Sequence, residues 1–133
     1  MSRPDEPHIA QAVRELTDSL AETFERSGLG AKSVAHRRPW PCEDTGKRAF
    51  AIGYDVVVSD PQIAVNAVVD YWKQRGFPFQ IDHSRDRSQP EAIVRLGVFE
   101  MSVHGFPERN SVWLRGNTVC LAGEVPEDWR DVR

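Results

Sequence analysis

From Arg48 to Val58 the chain alternates between large apolar residues and small or polar ones, and it then runs straight into Ser59, Asp60 and Pro61. Phe50, Ile52, Tyr54, Val56 and Val58 share one parity, while Ala49, Ala51, Gly53, Asp55 and Val57 share the other. Successive side chains of a strand point to opposite faces, so the first set predicts the buried face and the second the lighter one. Asp60 offers a side-chain acceptor to the orphan N–H groups of a helix start, and Pro61 suits the first helical position, where no N–H is needed. A strand passing directly into a helix leaves no room for an all-α or an all-β chain.

The remaining elements follow from periodicity and punctuation. Ile9, Ala12, Val13, Leu16, Leu20 and Phe24 form one helical stripe, predicting a helix from about His8 to Ser27 that Gly28 and Gly30 end. The helix that starts at Pro61 runs to about Arg75, presents Ile63, Ala64, Ala67, Val68, Tyr71 and Trp72, and stops at Gly76. Four β segments are expected afterwards, at Phe77 to His83, Ala92 to Leu96, Phe99 to Gly105 and Ser111 to Gly116, with polar turns at Ser84 to Pro90 and Pro107 to Asn110. The stretch from Ala31 to Lys47 shows no periodicity and reads as an ordered loop. Met1 to Pro7 reads as a loose tail, and residues 121–133 as an acidic C-terminal tail. The resulting order, α-β-α-β-β-β-β, predicts an α+β fold: a mixed, mostly antiparallel five-stranded sheet backed by two helices. At 133 residues the chain is one domain, long enough to bury roughly two-thirds of its unfolded surface.

Topology bears on the two cysteines. A helix joining the first two of these strands makes them parallel if they share a sheet, and the hairpins after them alternate direction. The last strand is then antiparallel to the first, and Cys42, before the one, lies at the same sheet edge as Cys120, after the other. If those two strands are neighbours, the thiols fall within reach of a disulfide, worth on the order of 4 kcal/mol for so long a loop. If they are not, both cysteines are free thiols. Cys42 has no CxxC partner and no adjacent base, which argues against redox or nucleophilic chemistry.

Charge and motif content exclude several function classes. The net charge of −3 repels phosphate backbones and anionic lipid, so nucleic acid and membrane insertion are not expected. No apolar run approaches the ~20 residues of a bilayer span, and the N-terminal residues lack a basic segment followed by an apolar one. A cytoplasmic location is expected on that reading, or an envelope-facing one if a leader has been removed. His8, His36, His83 and His104 show no metal-ligand spacing, so neither metal nor cofactor is expected. Glu100 and His104, on one face of the strand Phe99 to Gly105, are the nearest approach to an acid/base pair. Arg37 and Arg38 beside His36 and Trp40 are countered by Glu43 and Asp44 and read as a solvated loop.

The C-terminal residues carry a different signal. Trp129 stands among Glu124, Glu127, Asp128 and Asp131 with few apolar neighbours. An aromatic anchor within an acidic rim suits a basic protein partner, the ring supplying burial and the charges steering encounter. Trp129, Glu127, Asp128 and Asp131, with Trp40, Glu43 and Asp44, are therefore the expected partner-binding residues.

Trp40-Pro41-Cys42, then Trp72 and Gly76, Gly97, and the closing Gly116, Thr118 and Cys120 together resemble a group of small actinobacterial proteins, many of them lipoproteins, over roughly Pro39 to Leu121. Some of that group are similar to immunity or accessory partners encoded beside secreted toxins. The resemblance implies a non-catalytic, immunity-type module that masks a cognate toxin by occlusion. As written, the sequence shows neither the leader nor the lipobox cysteine of the lipoprotein pattern, which counts against the envelope location that the resemblance implies. A small-ligand domain, with a pocket between helix and sheet at Trp72, Tyr54 and Phe79, is the alternative.

Overall fold

A computed structural model describes residues 7–30 and 32–131. In chain order the elements are α1 (Ile9–Ser27), β1 (Lys32–Pro41), β2 (Lys47–Val57), α2 (Pro61–Gln74), β3 (Phe79–His83), β4 (Glu91–Leu96), β5 (Phe99–Phe106), β6 (Ser111–Thr118) and β7 (Leu121–Ala122), with short 3-10 turns at Pro107–Arg109 and Glu127–Asp131. The strands form a single sheet ordered β1-β2-β6-β5-β4-β3, and β7 extends the β2 ladder beyond β6. Both helices pack on one face of this sheet, α1 over β6, β2 and β5 and α2 over β5, β6 and β4.

The α+β class is as expected, with seven strands among the described residues rather than five. Every ladder between neighbouring strands is antiparallel. β2 and β3 do run in the same direction, as the helical connection requires, but from opposite halves of the sheet, with β6, β5 and β4 between them. The first additional strand is β1, in the stretch expected to be a loop. It lies at the sheet edge and is mostly exposed, so it needs no apolar alternation. It also tolerates Pro39 and Pro41, because an edge strand has one row of N–H groups that no neighbour requires. The second is β7, two residues long, which draws the C-terminal residues back onto β2.

The core lies between the helices and the large-residue face of the sheet. Ile9, Val13, Leu16 and Leu20 of α1 and Val65, Val68 and Trp72 of α2 meet Phe50, Ile52, Tyr54 and Val56 of β2, with Val94, Met101, Val103, Val112 and Leu114 from the other strands. Gly28 takes a left-handed φ of 66° and ends α1, and Asp60 accepts from the Ile63 amide at 3.2 Å as the cap of α2. α1 can approach β6 closely because Gly116 has no side chain; a Cβ there would run into the Leu16 side chain and stand 3.2 Å from the Glu100 carbonyl. The one buried indole N–H is satisfied inside the core: Trp72 Nε1 donates to Thr23 Oγ1 at 3.1 Å, and Thr23 Oγ1 donates in turn to the Ser19 carbonyl at 2.8 Å.

β2 and β6 are neighbours, and the structure joins Cys42 to Cys120 in a disulfide with Cα atoms 6.2 Å apart. The bond sits where β2 changes partner, between its pairing with β6 from Ala51 onward and its pairing with β7 at Lys47 and Arg48. Within that gap the Phe50 amide donates to Thr118 Oγ1 at 3.0 Å, so a side chain takes the place of a backbone acceptor.

Candidate functional site

Among the described residues, the two helices cover only one face of the sheet, and the other face is laid out by strand register. A row across β1, β2, β6, β5, β4 and β3 carries Ser33, Asp55, Trp113, His104, Glu91 and His83 as successive partners. Along β1, β2 and β6 the neighbouring rows pair His36, Gly53 and Arg115, then Arg38, Ala51 and Asn117. The small residues of β2 thus lie between larger side chains on both sides: Trp40 stands opposite Ala49, Arg38 opposite Ala51 and His36 opposite Gly53. This shielding is why Ala49 and Ala51 are buried although no helix covers them.

Aromatic rings and guanidinium groups stack across this face. Phe106 and Trp113 meet edge to face with centroids 4.9 Å apart. Arg109 lies over Phe106 at 4.3 Å, and Arg115 lies 5.2 Å from the Trp113 centroid. On β1, Arg38 stands 4.9 Å over Trp40, whose residue is 42% exposed. Arginine stacked on tryptophan or phenylalanine is held by cation–π attraction with its polar edge still available, a combination enriched at the centres of protein interfaces.

The same face holds a set of titratable groups. Glu91 stands between two histidines, with His104 Nδ1 at 3.0 Å from one carboxylate oxygen and His83 Nδ1 at 3.5 Å from the other. Burial holds the His104 pKa below the usual histidine value, and Arg115 pushes the same way against Glu91. The neutral ring must carry its proton on Nδ1, because the carboxylate can only accept. His36 is likewise held below the ordinary value, first by burial, then by Arg115 and Arg38, with Asp55 opposing. Glu100 and His104, the nearest approach to an acid/base pair in the sequence, do not meet: Glu100 is opposite Arg95 and Asn117, and the carboxylate at His104 comes from β4. The sequence holds a signal for that pairing. Gly97 with Val98 makes a two-residue turn closing on Leu96 and Phe99, and counting outward along both strands brings Glu91 opposite His104.

The expected partner-binding residues fall into two settings. Trp40 belongs to the uncovered face. Trp129 does not project from the surface; it is half-buried, packed on Phe50 with centroids 6.3 Å apart and with Arg130 4.3 Å over its ring. Its 3-10 turn lies against β1 and leaves Glu127, Asp128 and Asp131 exposed. Glu43 and Asp44 are exposed in the β1–β2 turn, where Asp44 pairs with Lys47 at 3.5 Å. Tyr54 and Trp72, expected to line a ligand pocket, are core residues instead, Tyr54 in edge contact with Phe24 at 5.1 Å and Trp72 tilted on Phe79 at 6.4 Å. The candidate residues not foreseen are Trp113, Phe106, Arg115 and Glu91.

Among the described residues, no group of three or more histidine, cysteine or acidic side chains is arranged to hold a metal ion, and no helix is long and apolar enough to cross a membrane. No protein family, curated protein or solved structure matches the chain.

Proposed function

We propose that this protein is a non-catalytic binding module that docks the uncovered face of its sheet against another protein. The observation that supports this most is the string Arg109, Phe106, Trp113 and Arg115 together with Arg38 and Trp40, all on the face that neither helix covers. These are the residue types that anchor interfaces, and here all but Arg109, which is in the β5–β6 turn, are carried on strands of the sheet, so little backbone entropy is lost when a partner orders them. The exposed carboxylates of Glu127, Asp128 and Asp131, beside the β1 edge on the Phe50 side of the sheet, and those of the β1–β2 turn lie outside this face and act on encounter only at long range.

The immunity-type reading is the specific form of this proposal: the partner is a toxin and binding occludes its working surface. The Cys42–Cys120 disulfide supports a partner met in an oxidising compartment, since such bonds persist outside the reducing cytoplasm. That favours the envelope-facing location over the cytoplasmic one. Glu91 and His104 form a carboxylate-oriented imidazole, but they lie on an open sheet face rather than in a cleft that excludes water, so the reading is of a binding surface.

The test is capture of the partner by Trp113→Ala and Trp40→Ala variants against Trp129→Ala. Loss of capture in the first two, with an unchanged circular dichroism spectrum, is the expected result. Trp129→Ala should retain capture and lose stability by about 2 kcal/mol, roughly half the cost of emptying a fully buried tryptophan site. Full capture by both Trp113→Ala and Trp40→Ala would refute the proposal.

A further inference from the structure

The uncovered face is not flat. At Gly53 it opens into a hollow of about 140 Å³ lined by His36, Asp55, Trp113 and Arg115. Two local features create it. Gly53 has no side chain, and the β-bulge between Val34 and His36 sets the His36 imidazole over the bare backbone, where a Cβ on residue 53 would collide with the ring. Trp113 makes an aromatic wall, and the Arg115 guanidinium stands beside it.

Size and charge narrow the occupant. Clefts for small molecules run to roughly 300–1,000 Å³, so this hollow matches a single side chain rather than a metabolite. Arg115 and His36 line it, Arg38 lies on the next row, and Asp55 is the one carboxylate among its walls. At the imidazole the two arginines outweigh Asp55, so the local field is positive although the chain as a whole carries −3. A lysine or arginine entering here would be repelled by two guanidinium groups. A carboxylate gains charge-assisted hydrogen bonds from Arg115 and a ring N–H from His36, while its methylene groups rest on Trp113.

We propose that this hollow receives the carboxylate side chain of an aspartate or glutamate on the protein that docks on the open face. This rests on the docking reading and names the chemistry its partner must present. Against a nucleic acid phosphate stands the chain's net charge of −3, and phosphate and an oligonucleotide are therefore arms of the test.

The experiment is a chemical-shift titration of the full chain with three blocked tripeptides, acetyl-Gly-Glu-Gly-amide and its Gln and Lys counterparts, alongside inorganic phosphate and an oligothymidylate. The Glu peptide is expected to shift the Gly53 amide and the Trp113 indole, and Arg115→Gln should weaken it at least tenfold. Gly53→Ala, whose Cβ must push the His36 ring off the floor of the hollow, should abolish the shifts while leaving the rest of the spectrum in place. Equal binding of the Gln or Lys peptide, stronger binding of phosphate or oligothymidylate, or no shift at Gly53 overturns the proposal. Partner capture separates the two readings. Capture lost in Trp40→Ala but kept in Arg115→Gln and Gly53→Ala leaves the docking face standing and removes the carboxylate pocket. Capture kept in Trp40→Ala and Trp113→Ala removes the face itself.

Discussion

Replacing both cysteines, Cys42→Ala with Cys120→Ala, removes the disulfide that cross-links the start of β2 to the end of β6. The bond spans 78 residues of sequence and closes a loop holding β2, α2, β3, β4, β5 and β6. The chain-entropy model assigns a loop of that length about 4.5 kcal/mol at 25 °C. With the usual entropy of unfolding per residue, a chain of 133 residues should then melt about 16 °C lower without the bond. The loss should not be local, because the constraint acts on the unfolded chain, while Thr118 still accepts from the Phe50 amide across the gap in the folded one. Differential scanning calorimetry of the oxidised protein, the same protein in excess dithiothreitol and the double-alanine variant measures this directly. The reduced and double-alanine proteins should agree within a few degrees and fall well below the oxidised form. Three coincident melting temperatures would refute the reasoning.

Two further outcomes follow from the core and the histidines. Thr23→Val keeps the shape of the side chain but strips the Trp72 indole of its acceptor, so it should cost about 1–3 kcal/mol in urea unfolding, whereas a loss below about 0.5 kcal/mol would mean that the indole has another partner. His36 and His104 both have folded pKa values below the usual 6.5, chiefly through burial. The unfolded chain therefore binds more protons in the window below 6.5, and stability should rise with pH through that window and decline as pH falls. The melting temperature at pH 5.0 is expected below that at pH 7.5, with the difference reduced in a His36→Gln, His104→Gln double variant; a rise on acidification would contradict the assignment.

How far the sequence could be read depended on whether a feature is local. The helix caps at Asp60 and Gly28, the stripe of α1 and the large-residue face of β2 are fixed by residues close in the chain, and all of them appear where periodicity and capping place them. β1 was illegible because an exposed edge strand with prolines buries too little to impose alternation. The acid/base pairing was missed for a different reason: Glu91 and His104 meet across a ladder, so register had to be counted from the Gly97 turn rather than read along one strand. Trp129 looked like an anchor because its chain neighbours are charged, yet its packing partner, Phe50, is supplied by a strand about eighty residues away. The uncovered face, with Trp113 and Arg115 beside His36, exists only once β6 is known to sit next to β2.

The central claim is that the partner lies on the sheet face and not on the helices. A photo-cross-linking residue placed at position 113, and in a separate variant at exposed Glu15 on α1, tests it in cells that produce the partner. The account predicts a discrete adduct from position 113 and none from position 15. An adduct from position 15, with none from position 113, would contradict it.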